Sequence, residues 1–129
     1  MCIGSRFLEK KGFQTSFARR MGIRLLSFLI LLLSGKRVRD VTSGYRACGK
    51  ALTDFYADHY AQDYPEPEAI LAAVLQGFAV EEVPVEMKER QGGVSSIQAF
   101  SSIYYMVKVS LALFIDRLTT SPRKRRGKA

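Results

Sequence analysis

Tryptophan is absent, histidine occurs once, and 129 residues contain only two cysteines and four prolines. Two thiols, Cys2 and Cys48, make no disulfide framework and no metal-ligand spacing, and they suit a reducing compartment. Cys48 has no neighbouring base, so it reads as a small buried residue and not as a nucleophile. His59, between Tyr56 and Tyr60, reads as structural or exposed. Ten glycines without a period exclude a collagen-like chain. The first residues lack a charged segment followed by an apolar one, so a secretory signal is not expected. Long apolar runs are also missing. The most apolar stretch, residues 25–33, reaches about 13 residues with its flanks, roughly 20 Å as a helix. A bilayer core needs about 20 residues, so a helix buried within the protein is expected there.

What is present suits one globular domain. Hydrophobic residues make up 47% of the chain and charged residues 25%, which excludes disorder over most of it. The net charge of +8 is uneven, because Arg123, Lys124, Arg125, Arg126 and Lys128 carry five of the charges and leave +3 on residues 1–122. Residues 1–118 read as the domain and 119–129 as a basic disordered tail. Such a tail either solubilises the chain or attracts phosphates. No zinc ligand set, RNP-type aromatic motif or helix-turn-helix accompanies the charge, so nucleic acid is not an expected partner.

Residues 1–7 read as the end of a strand and 8–15 as a loop. Ser16 opens a helix that runs to Ser34, with Gly35 as its C-cap. Arg19, Arg20 and Arg24 lie near the start of that helix, the wrong end for its dipole, which hints at a facing anion. Residues 36–47 are polar, turn-rich and short of apolar periodicity. Residues 49–57 suit a short helix, 63–68 a stiff loop with two prolines, and 68–76 another helix that stops at Gly77. Val83, Val85 and Met87 alternate with Glu82, Pro84 and Glu86, a strand pattern that Pro84 confines to an edge. After a Gly-rich loop at 88–96, a last helix spans 97–118, with Phe100, Ile103, Tyr104, Val107, Leu111 and Phe114 as its apolar stripe. An aromatic helix followed by a basic cluster suits a membrane surface and an ordinary docking helix equally. The sum is α/β, with few strands and about four helices.

Several segments, taken in order, resemble the C-terminal half of a bacterial family 2 glycosyltransferase of the polyprenyl-phosphate or dolichol-phosphate sugar transferase type. They are Gly4-Ser5-Arg6-Phe7, Arg19-Arg20, Asp40-Val41-Thr42-Ser43-Gly44-Tyr45-Arg46, Tyr64-Pro65-Glu66-Pro67-Glu68, Glu82-Val83-Pro84-Val85 and Arg90-Gln91-Gly92-Gly93-Val94-Ser95-Ser96. The resemblance implies part of a GT-A, Rossmann-like fold without its N-terminal nucleotide-binding half and its Asp-x-Asp metal motif. It implies transfer of a sugar from a nucleotide-diphosphate sugar to a lipid-phosphate or cell-envelope glycan acceptor, with Mg or Mn serving the complete enzyme and little activity from this half alone. It also implies a cytoplasmic location, peripheral on the inner face of the cell membrane. The alternative is a non-catalytic membrane-surface or protein-interaction module, attached through the last helix and the tail.

Asp40 matches the family's acidic residue near the acceptor, as a base or as a partner of a metal or an arginine; its other reading is a turn cap on Thr42 or Ser43. Glu68 is the second carboxylate candidate, or simply an acid at a helix N-terminus. Arg46 orients Asp40, holds a phosphate, or makes a surface ion pair. Arg6 would lie near a phosphate at a strand end. Arg90, flanked by Gly92 and Gly93 and followed by Ser95, would contact phosphate from a lid-like loop.

Overall fold

The computed structural model describes residues 1–9, 11–12, 16–60, 64–88 and 99–120, with side chains from 104 onward in the last of these segments. Among them the chain is mixed α/β, with four helices and a three-stranded sheet. The order is β1 (Cys2–Ser5), α1 (Phe17–Ser34), β2 (Arg46–Ala47), α2 (Lys50–His59), α3 (Pro65–Leu75), β3 (Glu81–Pro84) and α4 (Ala99–Thr119).

β1 is the central strand, and Ile3, Gly4 and Ser5 are buried. β2 pairs with it antiparallel, Cys2 opposite Ala47 and Ile3 opposite Arg46. β3 pairs on the other side in parallel, from Cys2 opposite Glu81 to Ser5 opposite Pro84. Pro84 lacks an amide hydrogen, and an edge strand tolerates that. The terminal amine of Met1 extends the pairing by donating to the Ala79 carbonyl at 2.6 Å.

α1 starts where Ser16 predicts, although the Ser16 hydroxyl makes no capping bond. It ends on Gly35, whose φ of 74° is left-handed and whose N–H reaches the Leu31 carbonyl at 2.8 Å. α3 begins three residues earlier than the sequence suggests. Pro65 occupies its first turn, where a missing N–H costs nothing, and Glu66 and Glu68 favour the positive end of the dipole. The stiff loop expected at 63–68 is therefore largely helix. α3 is buried almost all round, and α1, α3 and α4 pack against one another. Ile3, Leu26, Ile30, Ile70, Leu71, Val109 and Leu113 form the centre of the core.

Three further expectations change. Residues 36–47 form more than a polar connection, because Val38, Asp40, Val41 and Ser43 are buried and Arg46–Ala47 makes a strand. Cys48 is exposed, not buried, since it falls in the turn between β2 and α2. The described members of the α4 stripe, Tyr104, Val107, Leu111 and Phe114, face outward, while Val109 and Leu113 enter the core. The tail at 121–129 and the Gly-rich loop at 89–96 lie outside the described residues.

Candidate functional site

The end of β1 and the segment after α1 are stitched together by side chains. Asp40 is fully buried, and its carboxylate accepts three hydrogen bonds from Arg6: from the backbone N–H at 3.0 Å, from Nε at 2.8 Å and from Nη2 at 2.7 Å. The guanidinium also donates to Thr42 Oγ1 at 3.2 Å and lies over the Phe7 ring. The Asp40 hydrogen bond, reinforced by its charge, raises the Arg6 pKa, while burial acts the other way. A two-pronged arginine–carboxylate contact is among the stronger polar pairings available.

Glu82 on β3 closes the other side of this segment. Its two oxygens accept the backbone N–H groups of Arg39 and Asp40, each at 2.9 Å. Ser43 Oγ donates to the Gly4 carbonyl at 2.7 Å, and Gly4 N–H donates to the Tyr45 carbonyl at 2.8 Å. Gly4 is required here: a Cβ would collide with the Tyr45 ring and with Val85. Ser43 N–H reaches the Asp40 carbonyl at 3.3 Å, so Asp40 starts a turn, but its carboxylate is spent on Arg6.

Arg6 is therefore the residue that orients Asp40. Arg46 turns elsewhere: its Nε donates to the Ser43 carbonyl at 2.7 Å and Nη2 to the Val41 carbonyl at 3.4 Å. Burial lowers the Arg46 pKa, and the Glu66 charge partly restores it. Glu68 is buried in the first turn of α3 and lines a different cavity, of about 540 Å³, with Phe55, His59, Leu71 and Asp116. The two candidate carboxylates thus serve different surroundings. Arg90 and Ser95 lie outside the described residues.

Beside the Arg6–Asp40 pair opens a cavity of about 630 Å³. Arg20 and Arg24 reach it from α1, and Arg37 and Arg39 from the segment that follows. Phe7, Ile23, Phe28 and Leu31 supply its apolar walls, with Ser27 between them. None of its described lining residues is acidic. Arg37 and Arg39 share one side because buried Val38 and Asp40 alternate with them. Sequence reasoning singles out Arg20 and Arg24 and includes Glu82 in the segment Glu82-Val83-Pro84-Val85 without a role of its own, but it assigns nothing to Arg37 or Arg39. The alternation Arg37-Val38-Arg39-Asp40 is the signal that could have placed Arg37 and Arg39.

Four guanidiniums around a partly apolar cavity suit an anion that carries a hydrocarbon portion. Divalent metal is a different matter. Among the described residues no three of His, Cys, Asp and Glu gather as a cation would need, and Asp40 is engaged by Arg6, so these residues do not fit an Mg or Mn ion. No helix of the described residues is long and apolar enough to cross a membrane. No protein-family model matches the chain, and neither a curated protein nor a solved structure matches it.

Proposed function

We propose that the chain is the acceptor-side part of a family 2-like glycosyltransferase of GT-A type, and that its acceptor is a polyprenyl phosphate. The observation that carries this reading is the convergence of Arg20, Arg24, Arg37 and Arg39 on one cavity walled by Phe7, Ile23, Phe28 and Leu31. Guanidinium forks match phosphate oxygens, and the aromatic and aliphatic walls match the isoprenoid carbons next to the phosphate.

The chemistry is consistent with the engaged state of Asp40. In the proposed reaction an oxygen of the lipid phosphate attacks the anomeric carbon of the donor sugar, the bond from that carbon to the nucleotide diphosphate breaks, and the diphosphate leaves with the electron pair. A phosphate oxygen is already anionic, so the attack requires positioning more than proton removal. Asp40 then acts through Arg6, the pair holding in place its chain neighbours Phe7 and Arg39, which line the cavity, while Glu68 lies at the other cavity and takes no part in this step. By the resemblance alone, Arg90 and Ser95 contact phosphate, and the nucleotide with its Mg or Mn ion is held by residues outside these 129. The location that follows is the cytoplasmic face of the cell membrane.

Isothermal titration with a short-chain polyprenyl phosphate tests the reading. The phosphate ester binds and the corresponding alcohol does not. Replacing Arg24 and Arg39 by Gln removes charge-assisted hydrogen bonds worth roughly 1.5–3 kcal/mol each, so affinity falls by at least about tenfold. Equal binding of ester and alcohol, or an unaffected double variant, would exclude a phosphate acceptor in this cavity.

A further inference from the structure

α1 and α4 meet at two places that define their arrangement. Gly22 lies against the Met106 side chain, and Arg117 Nε donates to the Leu33 carbonyl at 3.0 Å. Both pairs are separated by the same 84 positions in sequence, so the helices run parallel and in step over three turns. At about 100° per residue, the direction towards α4 fixes every other face of α1. Ile23, Leu26 and Ile30 point to the core, and Phe17, Met21, Leu25, Phe28 and Leu32 point directly away from it. The same construction on α4 sends Val109 and Leu113 to the core and Val107, Leu111, Phe114 and Leu118 to the outer side. Because the two cores coincide, the two outer stripes lie side by side on one plane, about 22 Å long and two helices wide.

This plane exposes large apolar side chains from both helices: Phe28 is 58% exposed, Leu32 64%, Leu111 60% and Leu118 85%. Its borders are basic. Arg20 and Arg24 flank α1 on the side away from α4, and Lys108 flanks α4 on the side away from α1, its Nζ over the Tyr104 ring. α1 has no acidic residue, and the Asp116 of α4 turns to the other cavity. A second copy docked face to face would bring these cationic borders together. A surface of anionic lipid instead meets the apolar plane with acyl chains and the borders with phosphates.

We infer that the paired outer stripes of α1 and α4 seat the protein in the interface of an anionic bilayer, parallel to its plane. This attachment does not depend on the transferase reading, nor on the basic tail. The test is flotation of the full chain with vesicles of phosphatidylcholine, alone or mixed with phosphatidylglycerol and free of polyprenyl phosphate. The chain floats with the mixed vesicles, and salt weakens but does not abolish the binding. Leu25→Gln and Leu111→Gln alter exposed residues outside the arginine cavity, so the double variant keeps its circular dichroism spectrum and its melting temperature. Each substitution lowers vesicle partitioning roughly tenfold, the value of one large apolar side chain taken out of water. Three results overturn the inference: undiminished flotation of the double variant, binding that disappears only when residues 121–129 are removed, or a wild-type dimer in light scattering that the double variant dissolves.

Discussion

Removing Arg6 strands a carboxylate inside the protein. Asp40 is 0% exposed and takes three of its hydrogen bonds from Arg6, two of them from the guanidinium. Arg6→Met keeps the aliphatic stem and deletes both guanidinium bonds. Breaking a buried ion pair in this way costs about 3–5 kcal/mol, because the remaining charge keeps its desolvation penalty and loses its compensation. A domain of this size has about 5–15 kcal/mol in total, so Arg6→Met consumes a large part of it. Asp40→Asn leaves an amide facing the guanidinium and costs about 2–4 kcal/mol on the same reasoning. The double variant removes both charges, so the two losses do not add, and the coupling is about 2 kcal/mol. Urea unfolding followed by far-ultraviolet circular dichroism measures all four corners, with the transition midpoint moving and its slope retained. Single losses below about 1 kcal/mol, or additivity within about 0.5 kcal/mol, would refute the argument that Arg6 and Asp40 act as one buried unit.

Burial raises the Tyr56 pKa above its ordinary 10.0, and its hydroxyl donates to the Ala69 carbonyl at 2.6 Å. The unfolded chain therefore loses this proton first, and stability falls as the pH climbs past 10.0. Tyr56→Phe loses about 1 kcal/mol at neutral pH but flattens that alkaline decline, which melting curves across the alkaline range reveal. Asp116 shows the same sign among carboxylates. Burial raises its pKa above 3.8, so the native state is penalised once the group ionises, and the penalty is complete at neutral pH. Its place in the last turns of α4, near the negative end of the dipole, acts in the same direction. Asp116→Asn therefore raises the melting temperature at about pH 7 and leaves it unchanged at about pH 3.

Helices were legible wherever punctuation and periodicity agreed. Gly35 marked the end of α1 because only its left-handed φ closes that helix, and the chemistry of this position is local. Pro65 misled because a proline reads equally as a turn residue and as a first helical residue, and the difference rests on what packs against it. The outward side of α4 was illegible for a more general reason. An apolar stripe fixes a face, but it does not say which face meets the core when a second set, here Val109 and Leu113, is apolar too. In the candidate site, Asp40 was visible as a candidate and Arg6 as a neighbour of phosphate. Their union was not visible, since 34 positions separate them and only the stitching of β1 to the segment after α1 brings them together. Glu82 was hidden in the same way. An acidic residue in a strand of alternating pattern reads as solvent-facing, and its role as acceptor for two backbone N–H groups belongs to tertiary structure.

The offset of 84 positions between α1 and α4 has a consequence for the newly made chain. α1 leaves the ribosome long before the helix that lies along it, and β1 likewise waits for β3. At about 5–20 residues per second the delay is roughly 4–17 s. Throughout that time Leu26 and Ile30, destined for the core, are as bare as Phe28 and Leu32, destined for the surface. For several seconds the nascent segment therefore carries two bare apolar faces beside its arginine flank, and whatever surface it meets first, a chaperone or a bilayer, competes with its own C-terminal helix. The order of synthesis thus joins the list of things that the pairing of α1 with α4 has to contend with.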